Sequence, residues 1–137
     1  MITRNISEIT TEDLQGIDRV GSFAFYTCSS LTSVHIPSHF VHLGYSSFGD
    51  CTSLATVIID DLDGSMDIGG NSFAYCSALT SFIMGAGIRY LDGYSFYESG
   101  LLSIDLPSTI TKIGEAVFAG CYSLTQATIR STTPPTL

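Results

Sequence analysis

Five phenylalanines, Phe25, Phe48, Phe73, Phe96 and Phe118, recur along the chain at intervals of 23, 25, 23 and 22 residues. A period of that length admits few folds other than a solenoid of stacked coils. The rest of each unit keeps step. Cys28, Cys51, Cys76 and Cys121 stand three residues after a phenylalanine, and Ser99 takes that place in the fourth unit. Leu31, Leu54, Leu79, Leu101 and Leu124 follow, and each is succeeded by two apolar residues in alternation: Val34 and Ile36, Val57 and Ile59, Phe82 and Met84, Ile104 and Leu106, Ala127 and Ile129. Four residues before each phenylalanine stands Gly21, Gly44, Gly69, Asp92 or Gly114, preceded by Val20, Leu43, Ile68, Leu91 or Ile113.

The segment "LTSVHIP" combines a leading leucine with alternation at Val34 and Ile36, the pattern of a short strand with one apolar side. The glycine turns the chain. Because every coil runs the same way, the stacked strands must be parallel. One coil cannot stand alone: about six inward apolar residues at roughly 1.5–3 kcal/mol each do not offset backbone ordering of ~1–2 kcal/mol per residue. The pattern therefore predicts a mainly β repeat solenoid, right-handed and parallel, of about five coils of 22–25 residues. Short strands and turns should dominate, with helix limited to one-turn pieces near the phenylalanines.

Units such as "IPSHFVHLGYSSFGDCTSLATVII" and "LPSTITKIGEAVFAGCYSLTQATI" resemble the BspA-like leucine-rich repeats, also called the Treponema pallidum type. The resemblance spans residues 17–130, with residues 1–16 similar to a capping segment and residues 131–137, "STTPPTL", similar to the proline-containing exit of such arrays. It implies a leucine-rich-repeat solenoid, a secreted or cell-surface location in bacteria, and a non-catalytic, adhesin-like role toward a protein such as host matrix or another surface protein. It transfers no ligand and no cofactor.

Composition narrows the partners. Thirteen acidic residues against five basic ones leave a formal charge of −8, which repels phosphate backbones and anionic headgroups and disfavours nucleic acid and membrane as partners. No apolar run approaches the roughly 20 residues that span a bilayer, so no membrane insertion is expected, and "MITRNISEIT" lacks the apolar core of a signal peptide.

Several residue groups invite a chemical role. His35, His39 and His42 would share one face of a helix, as a metal site requires, but Pro37 opposes a helix there. Aligning "HIPSHFVHLG" with "DLPSTITKIG" instead puts all three at outward positions. The cysteines would lie about one strand spacing apart, near 4.8 Å. Pairing into disulfides is open to them, yet replacement by Ser99 favours small buried packing residues. The acidic stretch "DDLDGSMD", residues 60–67, accounts for the two extra residues of the second unit; Ile59 and Gly70 fail the EF-hand pattern, leaving a solvated loop with weak cation binding as the alternative. No GxSxG elbow or phosphate loop is present, and the chain is not expected to be an enzyme.

The surface column between the inward strand residues reads His35, Ile58, Ile83, Asp105, Thr128. A strand needs only its inward residues to be apolar, so Ile58 and Ile83, flanked by His35 and Asp105, are the candidate centre of a protein-binding patch on the concave face. Seven tyrosines, Tyr26, Tyr45, Tyr75, Tyr94, Tyr97 and Tyr122 among them, fall at outward or turn positions as candidate contacts for protein or glycan. Three roles follow: a protein-binding module, a self-associating architectural piece of a larger surface assembly, or a glycan-binding module.

Overall fold

The computed structural model describes residues 6–131 and 134–136. The expectations for "MITRN" and for Thr132, Thr133 and Leu137 of the exit lie outside them. Eleven strands follow one another: β1 (Glu8–Ile9), β2 (Arg19–Val20), β3 (Ser33–Ile36), β4 (His42–Leu43), β5 (Thr56–Ile59), β6 (Met66–Ile68), β7 (Ser81–Met84), β8 (Ile88–Leu91), β9 (Ser103–Leu106), β10 (Lys112–Ile113) and β11 (Gln126–Ile129). All pairings are parallel, as the common direction of the coils demands. The odd-numbered strands line one wall, split into β1-β3-β5-β7 and β9-β11. The even-numbered strands form a second, five-stranded wall.

That second wall went unread in the sequence. Val20, Leu43, Ile68, Leu91 and Ile113 mark strands rather than the approach to a bare turn. Three of the five, β2, β4 and β10, are two residues long, too short to display an alternation. Met66 and Asp67 belong to β6, so the acidic loop ends earlier than residue 67. A register shift between Met66 and Asp67, whose partners are Ile88 and Tyr90, leaves Arg89 as an extra residue on β8.

The third wall holds the phenylalanines, and no described residue in it is helical. Its backbone alternates. The residues two before and two after each central phenylalanine take positive φ, as at Phe23 (61°) and Thr27 (60°), Ser46 and Asp50, Asn71 and Tyr75, Tyr94 and Glu98. This alternation interrupts helical geometry, which requires a run of right-handed residues. It also turns every second N–H toward the next coil. Phe23, Phe25 and Thr27 donate to the carbonyls of Tyr45, Ser47 and Gly49 at 2.8–2.9 Å, and Tyr94, Phe96 and Glu98 donate to Glu115, Val117 and Ala119. The expected one-turn helices are thus replaced by a third inter-coil hydrogen-bond ladder.

Inside the three walls, Phe25, Phe48, Phe73, Phe96 and Phe118 stack in a column with centroids 5.1, 5.5, 5.6 and 5.7 Å apart. The strand spacing of about 4.8 Å sets this near-parallel stacking. Cys51, Cys76 and Cys121 each donate a thiol hydrogen bond to the phenylalanine carbonyl one coil earlier, at 3.0–3.2 Å. Ser99, a hydroxyl in the same column, lies 3.3 Å from Cys121 Sγ. The column is therefore a polar-tipped packing position. Coils also approach closely: a Cβ on Gly85 would meet the Asp60 carbonyl oxygen at 2.3 Å.

Four expected core positions differ. Ala127 and Ile129 alternate like their counterparts but are exposed, Ile129 by 49%. Phe118 and Cys121 are only half-buried. All four lie in the last coil, where inward positions lose cover from one side. Thr136 bridges to Lys112, extending the second wall alone.

Candidate functional site

The outward residues of the first wall form two aligned columns. Ser33, Thr56 and Ser81 face one another across β3, β5 and β7, and His35, Ile58 and Ile83 do the same beside them. Asp105 pairs with Thr128 across β9 and β11 in the next columns of the same wall. The residues selected from sequence therefore do share one surface. Ile58 is half-buried between its neighbours, whereas Ile83 is 57% exposed. The column of small hydroxyl residues beside them was missed, although Ser33, Thr56, Ser81 and Ser103 repeat visibly two residues before the central residue.

Both flanking polar residues already have partners. His35 Nε2 lies 2.8 Å from Asp60 Oδ1, and since a carboxylate only accepts, the ring presents its Nε2–H. Arg130 grips Asp105 bidentately, with Nε 2.7 Å from Oδ1 and Nη2 2.6 Å from Oδ2. The guanidinium hydrogen bond holds the Asp105 carboxyl below its ordinary range. These two pairs bracket the isoleucines.

The surface around Ile83 is not flat. The hydrogen-bond ladder of the first wall is interrupted between β7 and β9. A cleft of about 530 Å³ runs along that seam, lined by Ser81, Ile83, Leu102, Ser103 and Gln126 among others. A second, of about 360 Å³, lies beyond Ile83 against Met84, Pro107 and Arg130. At the seam Phe82 occupies the inward site filled by Val57 and Ile104 in adjoining coils, and its ring stands edge-on to Phe73 and Phe96 at 5.0 and 4.9 Å. A ring where neighbours carry an aliphatic side chain spreads the strands it lies between. Leu102, exposed on the cleft, adds an apolar contact that the central column did not include.

The other candidates sit apart. His35 is on β3 and His42 on β4 of the opposite wall, while His39 Nε2 donates to the Ile17 carbonyl at 2.8 Å. Among the described residues no group of three or more His, Cys, Asp or Glu converges. In the acidic loop, Asp60 faces His35, Asp61 accepts from the Ala86 N–H at 2.8 Å, and Asp67 pairs with Arg89 at 3.5 Å. The carboxylates are thus drawn in different directions. No helix among the described residues is long and apolar enough to cross a membrane.

The repeat signature agrees with a family profile. Residues 2–125 match the BspA type leucine rich repeat region in six copies. The chain belongs to the BspA-type leucine-rich repeat family. Six copies exceed the five units marked by phenylalanine, and the first wall likewise has six strands because β1 precedes Phe25. Solved structures resemble this BspA-type array over most of its length. A leucine rich cell surface protein from Faecalibacterium prausnitzii is 25% identical with a TM-score of 0.66, covering 87% of this chain and 38% of its own. A leucine-rich repeat protein from Bacteroides ovatus is 28% identical with a TM-score of 0.74, covering 82% and 29%. The T. pallidum leucine rich repeat protein, at 22% identity and a TM-score of 0.73, covers 92% and 70% and shares the fold. The chain thus spans well under half the length of the first two. No curated protein matches it.

Proposed function

We propose that this BspA-type array is a non-catalytic, adhesin-like protein-binding module of a bacterial secreted or cell-surface protein. Its partner docks on the outward face of the first wall. The observation that carries this reading is Ile83, more than half exposed on β7 at the edge of its sheet, beside Ile58 and between two clefts. An apolar centre with a polar rim is the anatomy of a protein interface. His35 and Asp105, each held by an intramolecular partner, form that rim. Their fixed geometry lowers the ordering cost of contact. The net charge of −8 favours a basic partner segment and a faster encounter at low salt. The surface location rests on the family and on the cell-surface description of the F. prausnitzii relative.

The test is an affinity screen of the purified chain against extracellular proteins, followed by the Ile58→Ser/Ile83→Ser double variant. Binding should weaken at least tenfold, about 1.4 kcal/mol, while the circular dichroism spectrum stays unchanged. Unaltered affinity with an intact spectrum refutes the assignment. A second reading is a self-associating architectural piece of a larger surface assembly. It requires concentration-dependent oligomers in sedimentation.

A further inference from the structure

The third wall carries a surface that the fold does not require. Phe23 and Tyr75 take φ of 61° and 62°, a left-handed backbone that is a rare and costly place for a bulky residue. The same positions in other coils hold Ser46, Asn71, Tyr94 and Ala116, or Thr27, Asp50, Glu98 and Gly120. The ladder therefore accepts small and polar residues there, and the rings are supernumerary to it. They are also exposed, Phe23 by 53%, with Tyr45 beside it at 50%. Phe23 meets Tyr26 and Tyr45 edge-on, at 5.4 and 5.6 Å. Each edge-on contact covers a face of only one of its two rings, so the rings do not sandwich one another.

These rings border a cleft of about 200 Å³, whose walls include Phe23, Tyr26, Tyr45 and Tyr75 and whose polar groups include Asp50 and Asn71. The Tyr26 hydroxyl donates to Asp50 Oδ2 at 3.2 Å and so fixes the carboxylate at the cleft. Tyr26 lies over Gly49 and Tyr45 over Gly70, where a Cβ would meet each ring at 3.1–3.2 Å. The glycines thus seat the rings that line the cleft.

We propose that this cleft binds a neutral pyranose of a glycan. Aromatic faces take the C–H face of a sugar ring, and a carboxylate beside a carboxamide supplies acceptors and donors for its hydroxyls. Apolar walls with a few placed polar groups are the usual composition of a small-ligand site. The net charge of −8, with Asp50 in the cleft itself, selects against acidic sugars and leaves the neutral ones. The site lies on a different wall from Ile83 and does not depend on the protein-binding face.

The chain contains no tryptophan, so its emission comes from seven tyrosines, three of which line the cleft. The full chain is titrated to millimolar concentrations with methyl β-galactoside, methyl β-glucoside, methyl α-mannoside and N-acetylglucosamine. N-acetylneuraminic acid and a proline-rich peptide serve as alternatives, and amide NMR shifts map the contact. A neutral pyranose should saturate, with shifts centred on Phe23, Asp50 and Asn71. Asp50→Asn and Phe23→Asn should each weaken it about tenfold or more, and Phe23→Asn should do so without lowering the thermal midpoint, because asparagine tolerates the left-handed backbone. Ile58→Ser/Ile83→Ser should leave sugar binding intact. Saturation by none of the neutral sugars, binding of the acidic sugar or the peptide alone, or sugar affinity that survives both site variants overturns the proposal. Should Phe23→Asn fail to fold, Asp50→Asn decides.

Discussion

Replacing Phe73 with alanine tests the stacked architecture at its centre. Phe73 has no exposed surface and lies between Phe48 and Phe96, 5.5 and 5.6 Å away, with Phe82 edge-on at 5.0 Å. Truncation removes a ring from a space walled by both neighbouring coils, which are tied by the ladder and by the two sheets and cannot collapse inward. The lost transfer energy is about 2 kcal/mol, and a cavity of roughly 100 Å³ at about 24 cal/mol per Å³ adds a similar amount. The expected loss is therefore about 4 kcal/mol, before the three aromatic pairs are counted. Phe118→Ala is the internal comparison: it is half-buried and stacks on Phe96 alone, so about half that loss is expected. Urea unfolding followed by circular dichroism and tyrosine emission measures both. Phe73→Leu, which keeps bulk but loses the stack, supplies a graded point if the alanine variant does not fold. A loss under about 1 kcal/mol at Phe73, or equal losses at Phe73 and Phe118, would refute the column as the organising core.

Burial pushes the Cys51 thiol up to about 12 and the Cys76 thiol higher still, so both should resist a thiol reagent near pH 8 until the chain unfolds, while half-buried Cys121 reacts earlier. Four free thiols should then appear in urea without reductant, and two would reveal a disulfide. The Arg130 hydrogen bond lowers Asp105 in the folded chain, so the folded state binds fewer protons than the unfolded one just below the ordinary value of 3.8. Stability from this pair is complete above that value and is lost as pH falls through the lowered one. Asp105→Asn should thus reduce the urea midpoint slightly at neutral pH and not in strong acid, and high salt should shrink the effect; equal effects at both pH values would exclude the ion pair as the cause. Gly85→Ala places a Cβ 2.3 Å from the Asp60 carbonyl oxygen and should cost about 1–3 kcal/mol in the same urea assay, and a neutral result would mean that the coils are not this close.

The order of residues alone set the repeat, the parallel stacking and the inward set, because a column that must be filled by each coil in turn leaves one residue type at one spacing. Phe48, Phe73 and Phe96, with Cys51 and Cys76, are fully buried for that reason. It also determined that His35, Ile58 and Ile83 share a face, since strand alternation fixes sidedness from residue to residue. Tertiary structure alone decided how coils meet. The second wall escaped notice because two-residue strands such as His42–Leu43 are too short for a period and exist only through their neighbours' hydrogen bonds. The left-handed positions at Phe23 and Tyr75 escaped it because their side chains advertise no such backbone; the inter-coil ladder imposes it. The pairing of Asp105 with Arg130 and of His35 with Asp60 spans 25 residues in each case, two residues past the cross-strand mates Thr128 and Ile58, so it follows from how consecutive coils are superposed. The seam beside Ile83 is of the same kind, for it depends on the ring of Phe82 standing between two others, a matter of orientation that no single coil contains.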